Sequence, residues 1–307
     1  MRRTSDGAAD PRFVEAGGLK MAYLERGPSD GPPVILLHGF PYDALAWLHV
    51  ADRLAAQRRR CLLPYLRGFG PTRFCDPATP RSGQQAALGA DLLAFLDALE
   101  IQKANLCGFD WGGRAACIVA ALWPERVSGL VSCGQGYNIQ AIAEANRPAP
   151  PAEEARYWYI YLLQTERGRA ALTDDRDAFC RFLWETWSPT WSFDAATFDG
   201  TAVSFGNPDF VDIVLHSYRH RMGTAVGDPR YDEIERRLAT SPSISVPAVV
   251  LQGEADGVDP ASDRDADRHH FIGPYARRVL PNVGHNAPLE APEAVADAII
   301  SLESLRP

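Results

Sequence analysis

What the chain lacks narrows its function first. No run of apolar residues approaches the roughly 18 that a membrane-crossing helix needs. The six cysteines, Cys61, Cys75, Cys107, Cys117, Cys133 and Cys180, never fall into CxxC spacing. That argues against a zinc site or a disulfide framework and reads as buried thiols in a reducing compartment. Positive charge is in deficit, with 31 Lys and Arg against 39 Asp and Glu and a net charge of −8. Neither nucleic acid nor an anionic membrane is therefore expected as a partner. The first ten residues, MRRTSDGAAD, have no apolar stretch behind their arginines. They read as a frayed tail and not as a signal peptide, so the cytoplasm is the expected location. There is no internal repeat, low-complexity stretch, metal-ligand cluster or phosphate loop. Gly134-Gln135-Gly136 lacks the third glycine and the following βαβ half of a dinucleotide fingerprint. No cofactor and no metal is implied.

What is present looks like an ordinary globular chain: 307 residues, 46% hydrophobic and 23% charged. The length fits two domains, or one large α/β domain with an insertion. Residues 19–26, 33–37, 61–64, 104–109 and 127–133 read as strands. Residues 44–57, 83–99 and 112–122 read as helices between them. This alternation, with continuous apolar strands, predicts a mostly parallel sheet with helices on both faces. The pattern then breaks for about a hundred residues rich in aromatics, including Tyr157, Trp158, Tyr159, Tyr161, Trp184, Trp187, Trp191 and Phe193. Strands resume at 247–251 and 277–280, and a last helix covers 292–304. The expected organisation is a core from 1–135 and 244–307, with a helical cap inserted at 136–243.

The sharpest local feature is Gly108-Phe109-Asp110-Trp111-Gly112-Gly113, where a strand turns at once into a helix. A nucleophile elbow needs small residues two before and two after its apex, because side chains there would strike the strand and helix backbones. Asp110 stands at that apex, and the helix start behind it would keep a carboxylate ionised. Asp110 also fits a plain N-cap of the 112–122 helix. His38-Gly39-Phe40-Pro41 follows a buried strand. It reads as a turn with an incidental histidine or as the source of an oxyanion-binding N–H from Phe40, beside that of Trp111. Of seven histidines, His285 is the best general base, since it lies between a strand and a helix. His269 and His270 lie in a polar run, and His216 and His220 in the insertion. Asp256, after another buried strand, could orient the imidazole, with Asp259 as the fallback. The chain order Asp110, Asp256, His285 runs nucleophile, acid, base.

On these residues the chain resembles the α/β-hydrolase superfamily over essentially its whole length. Within it the chain looks most like the epoxide hydrolases and the related haloalkane and fluoroacetate dehalogenases. The phrases that carry this are HGFP (38–41), RGFG (67–70), GFDWGG (108–113), PERV (124–127) and VGH (283–285). Asp followed by Trp at the elbow is characteristic of the aspartate-nucleophile branches. The resemblance implies an enzyme in which Asp110 forms an alkyl ester that water then hydrolyses with His285 as base. An epoxide hydrolase would also use two cap tyrosines as donors to the ring oxygen. Tyr159, in an aromatic segment before Gln164, and Tyr218, before Arg219, match them. Tyr161 lies about 200° around a helix from Tyr159, so both cannot face one site. His38, Trp158 and Arg114 are expected to contact a small, apolar substrate.

A dehalogenase is the alternative, with Trp111 as a halide donor. The commonest haloalkane branch has asparagine where this chain has Phe40. Fluoroacetate dehalogenases match at HGFP and at Arg114, which in them holds the substrate carboxylate. They also carry arginine where this chain has Trp111, and a His-Trp pair where it has Trp158-Tyr159. Arg114 is also open to a second reading, as a helix-surface ion-pair partner. Relatives often have aspartate before RGFG, where this chain has Pro64-Tyr65-Leu66. The strand ending at Cys133-Gly134 carries no acidic residue, which favours Asp256 as the orienting acid. Small-molecule receptors on this fold tend to keep serine at the elbow, and Asp110 argues against that class.

Overall fold

Continuous apolar segments build the centre of the molecule. In the computed structural model, which describes residues 10–305, nine strands form one sheet. They are β1 (Arg12–Ala16), β2 (Leu19–Arg26), β3 (Pro33–Leu37), β4 (Arg60–Pro64), β5 (Arg73–Phe74), β6 (Ala104–Phe109), β7 (Val127–Cys133), β8 (Ala248–Gly253) and β9 (Tyr275–Leu280). The order is β1-β2-β4-β3-β6-β7-β8-β9, with β5 beside β2. Pairing is antiparallel at β1–β2 and β2–β4 and parallel from β4 through β9. The expectation of a frayed tail falls on residues 1–9, outside those described.

Two helix pairs flank the sheet: α2 (Gln85–Ala98) with α3 (Asp110–Leu122), and α1 (Leu48–Ala56) with α12 (Pro292–Ser301). β6 is buried at every position, as a strand covered on both faces must be. β1 was not expected, because its sequence RFVEA is mostly exposed and lacks an apolar run.

Between β7 and β8 the described chain forms helices and no strand. These are α4 (Pro151–Arg156), α5 (Trp158–Leu163), α6 (Glu166–Asp174), α7 (Arg176–Trp187), α8 (Ala195–Ala202), α9 (Phe210–Arg221) and α10 (Asp232–Leu238). A short helix, α11 (Ala287–Glu290), precedes α12. Side-chain caps start α6 and α8, where Thr165 accepts from Gly168 N and Asp194 from Thr197 N. The insert is tied to the core by polar bonds. Trp184 Nε1 donates to Pro41 O at 2.8 Å, and Ser204 Oγ donates to Asp43 Oδ2 at 2.6 Å. Among the described residues no helix is long and apolar enough to cross a membrane.

Candidate active site

The parallel strands deliver the sequence-marked loops to one edge of the sheet, as open α/β sheets do at their strand C-termini. Asp110 follows β6 directly and has φ of 50°. No side chain but glycine fits two residues on. A Cβ at Gly112 would lie 2.1 Å from Leu37 O. Across the gap, a Cβ at Gly39 would lie 2.3 Å from Asp110 Oδ1. The N-cap of α3 is Phe109, and Asp110 is the first helical residue and not the cap. Its carboxylate is turned to the opposite loop instead. Phe40 N donates to Asp110 Oδ1 at 2.8 Å, and the Trp111 N–H also supports the charge.

The other oxygen, Oδ2, lies 3.9 Å from His285 Nε2. That is a charge contact and too long for a hydrogen bond. His285 Nε2 is buried without a partner. On the far side of the ring, Nδ1 bonds Asp256 Oδ2 at 2.9 Å. Asp256 is fixed in turn by its own loop, whose Val258 and Asp259 N–H groups donate to Oδ1 at 2.8 and 3.1 Å. Asp259, the fallback acid, therefore serves Asp256 through its backbone.

Electrostatics in this buried trio are dominated by burial and mutual charge. Burial alone would raise the Asp110 pKa, yet His285 and Arg114 more than offset it and the pKa ends lowered. Burial would lower that of His285, but the charges of Asp256 and Asp110 outweigh it and raise it to about 10. The free site is thus an anion beside an imidazolium.

The insert roofs this trio with aromatic rings. Tyr159 and Tyr218 are buried and meet edge-to-face at 5.5 Å. Tyr218 also packs against Phe40 at 5.7 Å and Trp111 at 5.9 Å. Burial raises both phenol pKa values, and Asp110's charge adds to the effect. Neither hydroxyl hydrogen-bonds a protein group among the described residues. Gln164 fixes their spacing, since its Nε2 donates to Ile160 O at 2.9 Å and to Tyr218 O at 3.2 Å. Tyr161 is 42% exposed and bonds Glu154, as the helical rotation requires.

Three sequence expectations need correction. His38, expected at the substrate, has both ring nitrogens engaged by backbone. Nδ1 meets Gly39 O at 3.0 Å and Nε2 accepts from Leu66 N at 3.0 Å. Burial lowers its pKa to about 4, so it is a neutral brace between the 38–41 and 65–70 loops. Trp158, also expected at the substrate, packs on Phe179 and Phe182 inside the insert. The helix turns it about 100° from Tyr159. Arg114 is no surface ion-pair partner: it is 3% exposed and donates to the neutral Asn138 Oδ1.

Trp187 was missed. Its ring lies 4.9 Å from Tyr159 and 5.1 Å from His285, and its buried Nε1 has no partner. Its carbonyl accepts from His285 N at 3.1 Å and Gly257 N at 2.9 Å. One aromatic among many in the insert gave no signal for this. No group of three or more metal-ligating side chains occurs among the described residues.

A strand-to-helix elbow bearing a carboxylate, with an acid and a histidine on following loops, is the arrangement of one large hydrolase class. The model of the α/β hydrolase fold family matches residues 32–292. The chain belongs to the α/β hydrolase fold family, in its epoxide hydrolase branch. A Klebsiella pneumoniae protein provisionally assigned as an epoxide hydrolase has a crystal structure similar to this chain. It is 44% identical, with a TM-score of 0.93 over 96% of this chain and 97% of that one. Epoxide hydrolase A of Mycobacterium tuberculosis is 26% identical over 96% of this chain and 97% of its own length. The dihydrolipoyllysine-residue acetyltransferase component of the acetoin cleaving system of Pseudomonas putida is 29% identical, over 97% of this chain and 72% of its own.

Proposed function

We propose that this chain is an enzyme that opens an epoxide to a vicinal diol through an alkyl ester on Asp110. What carries this reading is a pair of buried tyrosines, their hydroxyls without a protein partner among the described residues, that feel the charge of a carboxylate whose two oxygens have different neighbours. Residues 136–243 act as the cap that supplies those hydroxyls.

In the first step Asp110 Oδ2 attacks a ring carbon, the carbon–oxygen bond of the ring breaks, and the alkoxide forms under Tyr159 and Tyr218. Their hydroxyls stabilise the alkoxide more than the neutral ring oxygen, which is what lowers a barrier. Ester formation removes the Asp110 charge. Burial then acts on His285 against Asp256 alone, so the imidazole gives up its proton more readily. That proton balances the one the alkoxide takes.

In the second step water attacks the ester carbonyl and neutral His285 takes its proton. Oδ1, already bonded by the Phe40 N–H, becomes the oxyanion, with the Trp111 N–H as the second donor. Asp256 stabilises the imidazolium. Collapse breaks the bond between the Asp110 carboxyl carbon and Oδ2, which leaves with the product, the new Asp110 carboxyl gives its proton to that oxygen to complete the diol, and the starting charges are restored.

The test is a panel of epoxides, haloalkanes and haloacids given to purified wild type and Asp110→Ala. Diol from an epoxide with wild type, and none with Asp110→Ala, is expected. Halide release without diol formation would reassign the chain to dehalogenation, and no turnover of any class would remove the enzyme reading.

A further inference from the structure

The C-terminal end of α7 leaves the insert and lies against the two loops that carry Asp256 and His285. The Trp187 carbonyl accepts from both, from Gly257 N at 2.9 Å and from His285 N at 3.1 Å. The next residue, Ser188, is 1% exposed. Its hydroxyl oxygen accepts from His285 N at 3.0 Å and from Asn286 N at 3.4 Å. Its proton goes to Glu290 Oε1 at 2.6 Å. Two residues further, Thr190 Oγ1 donates to Asn282 O at 2.9 Å, where the base loop begins.

Glu290, at the end of α11, completes the arrangement. Oε1 also accepts from Asn286 N at 3.0 Å, and Oε2 accepts from Gly284 N at 2.6 Å. One hydroxyl and one carboxylate thus take the N–H groups of Gly284, His285 and Asn286. The bonds to Glu290 are charge-assisted and stronger than neutral ones. Their polarity is fixed. A backbone N–H can only donate, so the Ser188 oxygen must accept from it and point its single proton at Glu290. Both Glu290 oxygens must accept, which an amide of the same shape cannot do.

Packing restricts the loops as much as bonding does. A Cβ at Gly284 would lie 2.5 Å from Ser188 Cα, and one at Gly257 would lie 2.0 Å from Thr186 O. Neither loop can slide along α7. The imidazole, by contrast, has a polar partner on one side only. Nδ1 bonds Asp256 at 2.9 Å, and Nε2 is buried without a partner. How far Nε2 reaches toward Asp110 is therefore set by where the His285 backbone is held.

We propose that Ser188 of the insert and Glu290 of α11 are positioning residues for His285, holding its backbone so that Nε2 meets the water that attacks the Asp110 ester. The catalytic part of this role rests on the ester mechanism proposed above; the holding of the imidazole does not. Neither residue touches the reacting atoms, and alkylation uses Asp110 and the two tyrosines. The pair therefore acts on ester hydrolysis alone. Because Ser188 comes from the insert, the base is in place only when the insert is seated on the core.

The experiment uses Ser188→Ala, Glu290→Gln and the double variant, each checked for folding by circular dichroism. Glu290→Gln keeps the shape but sets an NH2 group against a backbone N–H. Low-field proton NMR, which needs no substrate, follows the His285 Nδ1–H in its bond to Asp256. Wild type should show this resonance, identified by its loss in His285→Gln, and both single variants should broaden or lose it. Single-turnover kinetics then separates alkylation from ester hydrolysis on an epoxide that wild type opens. Alkylation should be unchanged, while hydrolysis slows by roughly 10- to 10²-fold, the scale for a small misplacement of a catalytic group. Since the two residues act as one unit, the double variant should be no slower than the slower single variant. No such resonance in wild type, an unchanged resonance in both variants, both steps slowed alike, or penalties that multiply in the double variant would each overturn the pairing. Failure of both single variants to fold would make the pair a requirement of the fold and overturn it as well. A wild type that opens no epoxide would remove the ester mechanism, and the NMR result would still decide whether the pair holds the imidazole.

Discussion

The Asp110 carboxylate is asymmetric, and the chemistry proposed for it depends on that. Oδ1 is 2.8 Å from Phe40 N, while Oδ2 faces His285. In the proposed mechanism the first oxygen bears charge in ester hydrolysis and the second attacks. The same mechanism assigns the ring oxygen to the two tyrosines. Each should donate to the ring oxygen as its basicity rises. Tyr159→Phe and Tyr218→Phe should each slow single-turnover alkylation by roughly 10²-fold, the lower end for positioned acid catalysis. The double variant should nearly stop it, because a bare alkoxide under apolar rings has no compensation. Trp111→Phe should matter less, since loss of its indole would chiefly harm departure of a halide. A double tyrosine variant that alkylates at near wild-type rate would contradict the epoxide mechanism. At this scale the sequence was readable where geometry forces a residue type. Gly112 is dictated by a contact a Cβ cannot make, and the pattern around Asp110 exposes that. His38 and Trp187 were not readable. Their roles depend on which backbone groups and rings surround them, and no spacing encodes that.

At the scale of elements, the insert is fastened to the core by a few buried polar contacts. The Asp43 carboxyl, on the loop before α1, accepts from Leu45 N at 2.9 Å, from Ser204 Oγ at 2.6 Å and from Thr201 Oγ1 at 3.3 Å. Thr201 belongs to α8, and Ser204 follows it. Burial outweighs these bonds and raises the Asp43 pKa to about 7 from its ordinary 3.8. The folded state therefore holds this proton more tightly than the unfolded chain. Its contribution is fully present below about 3.8 and is lost as pH rises through about 7. Asp43→Asn removes that dependence while keeping an acceptor for Leu45 N. The melting temperature of Asp43→Asn relative to wild type should therefore rise by a few degrees between pH 5 and pH 8. A difference that is the same at both pH values would show that the buried carboxyl does not titrate in this range. The central strands were legible as apolar runs, and α2 and α3 as long apolar segments between them. β1 was not, because an exposed edge strand needs no hydrophobic pattern. The insert was legible as helical by the absence of strand signals, but not the pairing of α5 with α9 through Gln164, which arises only in the folded chain.

For the whole molecule, the parallel sheet explains why residues 38–40, 110, 256 and 285 meet although they are far apart in sequence. Each follows the end of β3, β6, β8 or β9, and the insert leaves from β7 between them. In the proposed mechanism the core supplies the nucleophile, base and oxyanion donors, and the insert the proton donors. The central claim is that Asp110 becomes esterified and that hydrolysis of the ester requires His285 as base. The most direct measurement is intact-protein mass spectrometry of His285→Gln after exposure to an epoxide that wild type turns over, followed by peptide mapping. The account predicts a stable adduct of the full epoxide mass on Asp110, absent in wild type at steady state and absent in Asp110→Ala. Unmodified His285→Gln that forms neither adduct nor diol, or an adduct on another residue, would contradict it.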